Sequence, residues 1–164
     1  MAATTAEVPG ELAPIEIDLV VPCAPERAFD YFTRDIGRWW PLATHSCAGE
    51  RAAGVAFEPR VGGMLVETAR DGTRHSWGTI EAWEPGHRVA FTWHPGRDPA
   101  TAQRVEVEFR ATPAGTRVTL VHGGWETLGE QAAQTRGHYV EGWRQVLVQR
   151  FGAHCAAPRT EATR

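Results

Sequence analysis

The chain contains no lysine, and all 17 of its basic residues are arginine. Schiff-base chemistry and other lysine-based catalysis are therefore excluded. A Walker A phosphate loop is excluded as well, because it needs its lysine. The formal net charge is only −3, so no large charge of either sign indicates nucleic acid or an anionic membrane as a partner. No apolar run approaches the about 20 residues that a membrane-spanning helix requires.

Cysteine is also scarce, with three residues at Cys23, Cys47 and Cys155. This odd number, with no C-x-x-C pair among them, argues against a disulfide framework and indicates a reducing compartment. The N-terminal segment MAATTAEVPGELAP has no basic residue and carries Glu7 and Glu11, so it is unlike a secretory signal. We therefore expect a cytoplasmic protein with no membrane insertion.

The length of 164 residues suits a single domain with a substantial core. Residues 1–13 and 156–164 are small, polar and proline-bearing, which is typical of flexible tails. No linker, repeat or low-complexity segment interrupts the chain between them. Residues 14–155 are therefore predicted to form one domain.

Alternation of apolar and polar residues predicts strands. It is strictest over residues 104–110, where valine and phenylalanine face one side while arginine and glutamate face the other. It recurs over residues 15–21 and 118–122, and Asp71-Gly72 is a strong hairpin signal. Such alternation implies an antiparallel sheet with one face in water and the other face covered.

The cover for that sheet is predicted to be the last segment of the chain. Tyr139, Trp143, Leu147 and Phe151 recur there every four residues and form one face of a long helix. Pro25 suits the first position of a helix that follows the first strand. The fold class is therefore α+β: a curved antiparallel sheet of about six to seven strands wrapped around a long C-terminal helix, with short helices after the first strand. Such an arrangement often leaves a cavity between sheet and helix.

Six pieces of the sequence, taken in order, resemble a known family. They are APERAFDYFT and the following WW, GG at 62–63, GTIEAWEPGHRVAFTW at 78–93, VEVEFRATPAGTRVTLVHGGW at 105–125 and GW at 142–143. The ordered set is similar to the START/SRPBCC superfamily, whose members have the helix-grip (Bet v 1-like) fold. It is more closely similar to the branch named after the activator of the heat-shock chaperone ATPase. The resemblance covers roughly residues 14–152.

The resemblance implies an apolar cavity between the sheet and the C-terminal helix, and it leaves four functions open. The first, which we expect, is the binding of a small hydrophobic ligand that is lipid-like, aromatic or polyketide-like. The second is an enzyme of the cyclase/aromatase or hydrolase type that uses a cavity histidine. The third is an interaction with the chaperone, and the fourth is the sequestration of an antibiotic as self-resistance.

Titratable residues supply few candidates for chemistry. His45 and Cys47 form an H-x-C pair, but a zinc site needs three or four ligands and no second pair lies nearby, so neither a metal nor a cofactor is predicted. Cys47 with His122 as its base is a conceivable nucleophile. His122 continues an inward strand face and is the one catalytic candidate, as a general base. The alternative is a buried histidine whose hydrogen bonds are satisfied by backbone or water.

Two phases fit the strand around Ile80. In the first, Ile80 faces the helix, while Trp77 and Trp83 lie outside or at an edge as an aromatic patch. Such a patch would mark a homodimer or partner surface. In the second, these indoles line a pocket together with His75 and Glu81. The sequence leaves both phases open.

The tryptophan pair after the first helix is predicted to lie over the open end of the cavity. One indole is expected to pack inward and the other to form a half-exposed lid, with the loop bearing His45 and Cys47 as its rim. Other ligand contacts are expected from the inward faces of strands and helix. The predicted ligand-binding residues are Trp39, Trp40, Phe57, Phe91, Trp93, Val107, Phe109, Leu120, His122, Tyr139, Trp143 and Leu147.

Overall fold

The computed structural model describes residues 12–157. The tails predicted at 1–13 and 156–164 lie almost entirely outside this range. The strands are β1 (Ile15–Val21), β2 (Ala52–Phe57), β3 (Met64–Ala69), β4 (Arg74–Glu84), β5 (Arg88–Trp93), β6 (Gln103–Thr112) and β7 (Gly115–Gly123). The α-helices are α1 (Pro25–Thr33), α2 (Ile36–Trp39), α3 (Ala132–Trp143) and α4 (Gly152–Ala156), with a π-helical segment (Arg144–Phe151) joining the last two. Short 3-10 helices span Gly49–Arg51, Pro99–Thr101 and Trp125–Gln131.

The strands form one seven-stranded antiparallel sheet in the order β1-β7-β6-β5-β4-β3-β2. Strands β2 to β7 follow one another as a meander, and β1 pairs with β7, so the first and last strands are neighbours. The sheet curls around α3, the π-helical segment and α4, which together form the C-terminal helix. The predicted α+β helix-grip fold is confirmed.

The central strands follow the predicted alternation closely. Val105, Val107 and Phe109 of β6 are all buried against the interior. The opposite face carries ion pairs, such as the one between Arg88 Nη1 and Glu106 Oε2 at 2.6 Å. One face of the sheet is therefore wet and the other is covered, as the sequence pattern indicates.

The C-terminal helix keeps one apolar stripe in line by changing its pitch. In an α-helix, a step of four residues overshoots a full turn by about 40°, so residues spaced by four drift around the helix. The wider turns of the π-helical segment counteract this drift. Trp143, Leu147 and Phe151 are consequently all buried, and Tyr139 is half-buried one step earlier.

Two irregularities in β4 determine which of its side chains face the interior. Trp77 is an extra residue with no pairing partner on β3, and Glu81 is an extra residue with no pairing partner on β5. Each extra residue changes the face that the following side chains occupy. Trp77 and Ile80 are both only 1% exposed, and the half-buried Trp83 has its ring centroid 5.3 Å from that of Phe29. Of the two alternatives for this strand, the exposed aromatic patch is therefore wrong, and the expectation of a homodimer stays a prediction.

The close crossing of β4 and β5 requires a glycine at position 78. A Cβ atom on Gly78 would lie 1.7 Å from the carbonyl oxygen of Thr92, so any other residue would clash with the backbone of β5. This approach brings the neighbouring residues Trp77 and Trp93 together, with ring centroids 5.7 Å apart. The glycine thus allows two large indoles to share one end of the interior.

Candidate ligand-binding site

A cavity of about 320 Å³ lies between one end of the sheet and the C-terminal helix. Its wall is aromatic and consists of the indoles of Trp40, Trp77, Trp93 and Trp143 together with Tyr139. We call this space the tryptophan cavity. It opens to solvent at the loop after α2, since exposed residues of that loop line its mouth. The other lining residues are Thr44, His45, Ser46, Cys47, Pro95, Gly96, Gly142 and Val146.

Hydrogen bonds within the protein fix the orientation of most of the wall. Trp40 Nε1 donates to the carbonyl oxygen of His45 at 2.7 Å, which connects the wall to the loop after α2. Trp143 Nε1 donates to His122 Nδ1 at 2.9 Å. Because each bond is directional, each ring is held at one angle to the cavity. The wall is therefore preorganised before any ligand enters.

A buried carboxylate anchors the rim loop, which we define as residues 44–48. Glu67 Oε1 accepts the backbone N–H of Cys47 at 2.8 Å, and Oε2 accepts that of Ala48 at 2.8 Å. Glu67 Oε1 also accepts the indole N–H of Trp77 at 2.9 Å. One side chain on β3 thus connects the rim loop, the sheet and the cavity wall.

The environment of Glu67 keeps it ionised. Burial acts to raise the pKa of this carboxyl, but the hydrogen bonds from Cys47, Ala48 and Trp77 outweigh burial and lower the pKa below its usual value. A carboxylate that accepts several N–H groups is stabilised in its charged form. Glu67 therefore acts as an anionic anchor and not as a proton donor at neutral pH.

The rim loop carries two titratable groups that contact the cavity. Burial raises the pKa of the Cys47 thiol, and the negative charge of Glu67 raises it further. Burial lowers the pKa of His45, and the nearby charge of Arg150 lowers it further. Both groups are consequently held in their neutral forms at neutral pH. Between residues 12 and 157, no group of three or more His, Cys, Asp or Glu side chains is arranged to hold a metal ion.

His122 lies behind the wall and does not line the cavity. It is 0% exposed, and its Nδ1 accepts the Trp143 indole N–H, which places the ring proton on Nε2, 3.4 Å from Gln103 Oε1. Its ring centroid lies 4.3 Å from that of Trp125. Burial lowers the pKa of His122 to about 3. His122 is thus a neutral imidazole that positions Trp143.

The predicted ligand-binding residues separate into two groups. Trp40, Trp93, Tyr139 and Trp143 line the cavity, and His122 stands directly behind Trp143. The others are buried in the packed interior away from the cavity lining. These are Trp39, Phe57, Phe91, Val107, Phe109, Leu120 and Leu147.

The two adjacent tryptophans have different roles, but neither is half exposed. Trp39 Nε1 donates to the carbonyl oxygen of Tyr31 at 2.8 Å, and its ring centroid lies 5.1 Å from that of Phe151. Trp40 is only 8% exposed and forms part of the cavity wall. The expected half-exposed lid is corrected to a buried wall, because the indole N–H of Trp40 finds its partner, His45, on the rim loop.

The sequence left part of the lining unidentified. Trp77 was assigned to either of two faces, since alternation does not reveal a bulge. Pro95 and Gly96 follow β5 in a segment without a regular period, and Val146 lies beside the four-residue stripe of the helix. Gly142 cannot be told from Gly137 by its position inside a helix, although only Gly142 lines the cavity.

Solved structures with similar folds cover nearly the whole chain. An anthrahydroquino-γ-pyrone synthase, Txn09, solved as a complex, is 33% identical over 88% of this chain and 98% of its own, with a TM-score of 0.60. A protein from Mesorhizobium loti is 19% identical over 89% and 99% of the two chains, with a TM-score of 0.63. The Aha1 dimer from Colwellia psychrerythraea is 16% identical over 87% and 96%, with a TM-score of 0.63. A comparison with curated proteins found no match.

The family comparison agrees with these structural matches. The sequence pattern of the family described as activator of Hsp90 ATPase homolog 1-like protein matches residues 22–155. This range contains every residue that lines the tryptophan cavity, and the matches support a ligand-binding fold. No helix in the described part of the chain is long and apolar enough to cross a membrane. The chain belongs to the family of activator of Hsp90 ATPase homolog 1-like proteins.

Proposed function

We propose that the chain binds a small planar aromatic molecule, of the fused-ring kind found among aromatic polyketides, in the tryptophan cavity. The observation that carries this proposal is the wall: four indoles and one phenol surround about 320 Å³ of space. Aromatic rings prefer offset-stacked and edge-to-face contacts with one another. A flat aromatic ligand makes such contacts with several wall residues at once, which a flexible aliphatic chain does not.

The volume limits the size of the enclosed part of the ligand. An apolar cavity of about 150 Å³ holds one benzene ring, and the tryptophan cavity of about 320 Å³ is roughly twice as large. Two fused rings therefore fit inside. Any further ring or substituent extends through the mouth toward the rim loop, where Thr44, Ser46 and Cys47 offer polar contacts.

The similarity to a polyketide-type synthase supports this ligand class. The solved neighbour that is 33% identical is named for an anthrahydroquino-γ-pyrone, a fused aromatic ring system with carbonyl oxygens. Its chain aligns over 98% of its length with this one. A cavity with aromatic walls and a polar mouth suits molecules of that class, since they combine a flat apolar body with polar edges.

The decisive experiment fills the cavity from the helix. A Cβ atom at Gly142 has nothing within 4 Å, and Gly142 lines the cavity, so a leucine there has room to project into it. A Cβ atom at Gly137 also has nothing within 4 Å, but that position is exposed and does not line the cavity. Gly142→Leu and Gly137→Leu thus form a matched pair on one helix, with the same change in helix propensity.

Naphthalene and chromone, each with two fused rings, serve as probes in calorimetric and NMR titrations. We expect both to shift the indole N–H resonances of the cavity tryptophans. Gly142→Leu should weaken binding of each probe at least tenfold, and Gly137→Leu should leave it unchanged. The proposal fails if neither probe binds up to its solubility limit, or if Gly142→Leu binds as well as the wild type.

A second candidate function is ring closure on the bound aromatic molecule, as the name of the 33% identical synthase suggests. The groups at the cavity that can exchange protons are His45, Cys47 and Tyr139, whereas His122 is buried and has partners on both ring nitrogens. The test incubates the protein with an aromatic polyketide precursor whose side chain has not yet cyclised. Turnover that His45→Gln abolishes without loss of binding would support an enzyme. An unchanged precursor after incubation with stoichiometric protein would restrict the function to binding.

A further inference from the structure

One of the four cavity indoles differs from the others in its hydrogen bonding. Trp40, Trp77 and Trp143 each donate their Nε1–H to a partner within the protein. Trp93, which is only 3% exposed, has no partner for its Nε1–H. Among the buried side-chain nitrogen and oxygen atoms of residues 12–157, only Trp93 Nε1 and His94 Nδ1 lack a partner. Of these two residues, Trp93 alone lines the cavity.

A buried donor without a partner is costly, because it has lost its hydrogen bonds to water and gained none in exchange. Native proteins leave few such groups, and each calls for an explanation. At a binding site, the simplest explanation is that the missing partner belongs to the ligand. The indole nitrogen can only donate, so that partner must be an acceptor.

We propose that Trp93 Nε1–H is the specificity-determining donor of the tryptophan cavity and selects aromatic ligands with a carbonyl or other acceptor oxygen at the enclosed end. This inference rests on the proposed function, and it adds the polar group by which that site distinguishes one flat ligand from another. An aromatic hydrocarbon fills the space but leaves Trp93 unpaired. A ligand with a carbonyl oxygen at the right edge satisfies it in a water-excluded setting, where the discrimination is strongest.

Aromatic rings surround Trp93 and cover this donor. Its ring centroid lies 5.4 Å from that of Trp143, 5.7 Å from Trp77 and 6.2 Å from Tyr139. The nitrogen is buried, so an adjacent ring must move to admit the acceptor. Tyr139 is the half-buried ring among these neighbours and lines the cavity, so we infer that Tyr139 is the ring that is displaced.

The test compares naphthalene with chromone, which has the same number of fused rings but carries a γ-pyrone carbonyl. Trp93 is replaced by benzothienylalanine, in which sulfur takes the place of the indole N–H with little change of ring shape. The same replacement at Trp40, whose N–H is already bonded to His45, serves as the matched control. The measured quantity is the ratio of the naphthalene dissociation constant to the chromone dissociation constant in each protein.

We expect the replacement at Trp93 to lower this ratio about tenfold, which corresponds to the loss of one buried hydrogen bond. The replacement at Trp40 should leave the ratio unchanged. In the wild type, the Trp93 indole proton, assigned from a Trp93→Phe variant, should move downfield with chromone and not with naphthalene. These results together would support the assignment.

Other outcomes overturn it in distinguishable ways. If naphthalene and chromone both bind but the ratio is the same in all three proteins, Trp93 is not the selecting donor and the proposed function stands. If the Trp93 replacement also lowers the stability of the ligand-free protein, the N–H contacts a neighbouring aromatic face and the inference fails. If neither probe binds the wild type, the inference and the proposed function fail together.

Discussion

The interior of this protein has a packed end, where all the phenylalanines lie with Trp39 and Trp83 among them, and an open end, which is the tryptophan cavity. All six phenylalanines of the chain are buried, and none of them lines the cavity. Their rings form a connected cluster in which, for example, the centroid of Phe32 lies 5.5 Å from that of Phe151. We call this cluster the phenylalanine core. Four of the seven tryptophans instead form the cavity wall. The phenylalanine core consists of Phe29, Phe32, Phe57, Phe91, Phe109 and Phe151.

The difference shows what each residue type allows. Phenylalanine has no polar atom, so hydrocarbon contacts on every side cost it nothing and the rings close into a solid core. An indole N–H needs a partner when it is buried, and the partners found here are a rim carbonyl, a carboxylate and an imidazole. Such directional bonds hold a wall in place around a space that packing alone would tend to fill. The cavity is thus maintained by polar groups behind an apolar surface.

The largest expected effect comes from breaking the phenylalanine core. Phe32→Ala removes a ring that is 1% exposed and leaves a new void, so we expect the free energy of unfolding to fall by about 3–5 kcal/mol. Tyr139→Ala at the cavity wall should cost only about 1 kcal/mol, because its side chain is half-buried and its removal enlarges an existing space. Urea denaturation measures both changes.

Ligand binding should depend more on the cavity wall than on the phenylalanine core. Tyr139→Ala should weaken naphthalene binding, whereas Phe32→Leu, the milder variant that keeps the core largely filled, should retain it. Equal losses of stability for Phe32→Ala and Tyr139→Ala would contradict the division of the interior into a solid end and an open end.

The sequence predicted the fold far better than it predicted this division. The alternation in β6 and β7 and the stripe through Trp143 fix the sheet, the helix and their facing surfaces, because burial of one face imposes a simple period. Core residues and cavity residues both point inward, however. Phe91 and Trp93 lie on the same face of β5, but only Trp93 lines the tryptophan cavity. Whether a buried residue borders a void depends on how all its neighbours pack, which no period encodes.

The rest of the site lies in segments of irregular structure, which sequence patterns do not predict. The face occupied by Trp77 depends on the extra residue in the pairing of β3 with β4, and a bulge of this kind leaves no period in the sequence. The rim loop has neither helical nor strand periodicity. Its position depends on Glu67, which lies 20 residues from Cys47 in sequence. The residues that shape the mouth are therefore the ones that sequence patterns identify least well.

The second expected effect concerns the imidazole behind the wall. An unfolded chain protonates His122 below its ordinary pKa of 6.5, whereas the folded protein keeps it neutral down to about pH 3. The unfolded state therefore binds more protons in this range, and the free energy of unfolding falls as the pH is lowered. At about 1.4 kcal/mol per pH unit, the loss from His122 should reach about 2 kcal/mol between pH 6.5 and pH 5.

His122→Asn isolates this contribution, because an asparagine oxygen can take the place of Nδ1 as the acceptor for Trp143 and does not titrate. We expect the unfolding free energy of His122→Asn to vary less steeply with pH between 6.5 and 5 than that of the wild type. His87→Asn, at an exposed turn position, is the control for the loss of an imidazole that is not buried. Identical slopes in the wild type and His122→Asn would show that the imidazole does not remain neutral behind the wall.

The third expected effect, smaller than those of Phe32 and His122, comes from the carboxylate that joins the cavity wall to the rim loop. Glu67→Gln keeps an acceptor oxygen but loses the charge and turns an amide N–H toward one of the backbone donors, so we expect a loss of about 1–2 kcal/mol in unfolding free energy at pH 7. The lowered pKa of Glu67 makes its stabilisation complete above the ordinary value of 4.5 and lost as the pH falls through the folded value. The difference between wild type and variant should therefore shrink below pH 4.5.

Glu67→Gln should also change the reactivity of Cys47 on the rim loop. A loss of stability elsewhere in the protein would not change that reactivity. Burial, followed by the charge of Glu67, raises the pKa of Cys47, so removing the charge should increase the fraction of thiolate and speed alkylation of Cys47 at pH 8. Cys47→Ser identifies the labelled site. Glu58→Gln is the matched control, since Glu58 Oε1 accepts the single backbone N–H of Met64 on the same hairpin and has no contact with the rim loop. If Glu58→Gln and Glu67→Gln alter Cys47 alkylation equally, the carboxylate of Glu67 does not govern the rim, and the mouth of the cavity must be held by the bond between Trp40 and His45 instead.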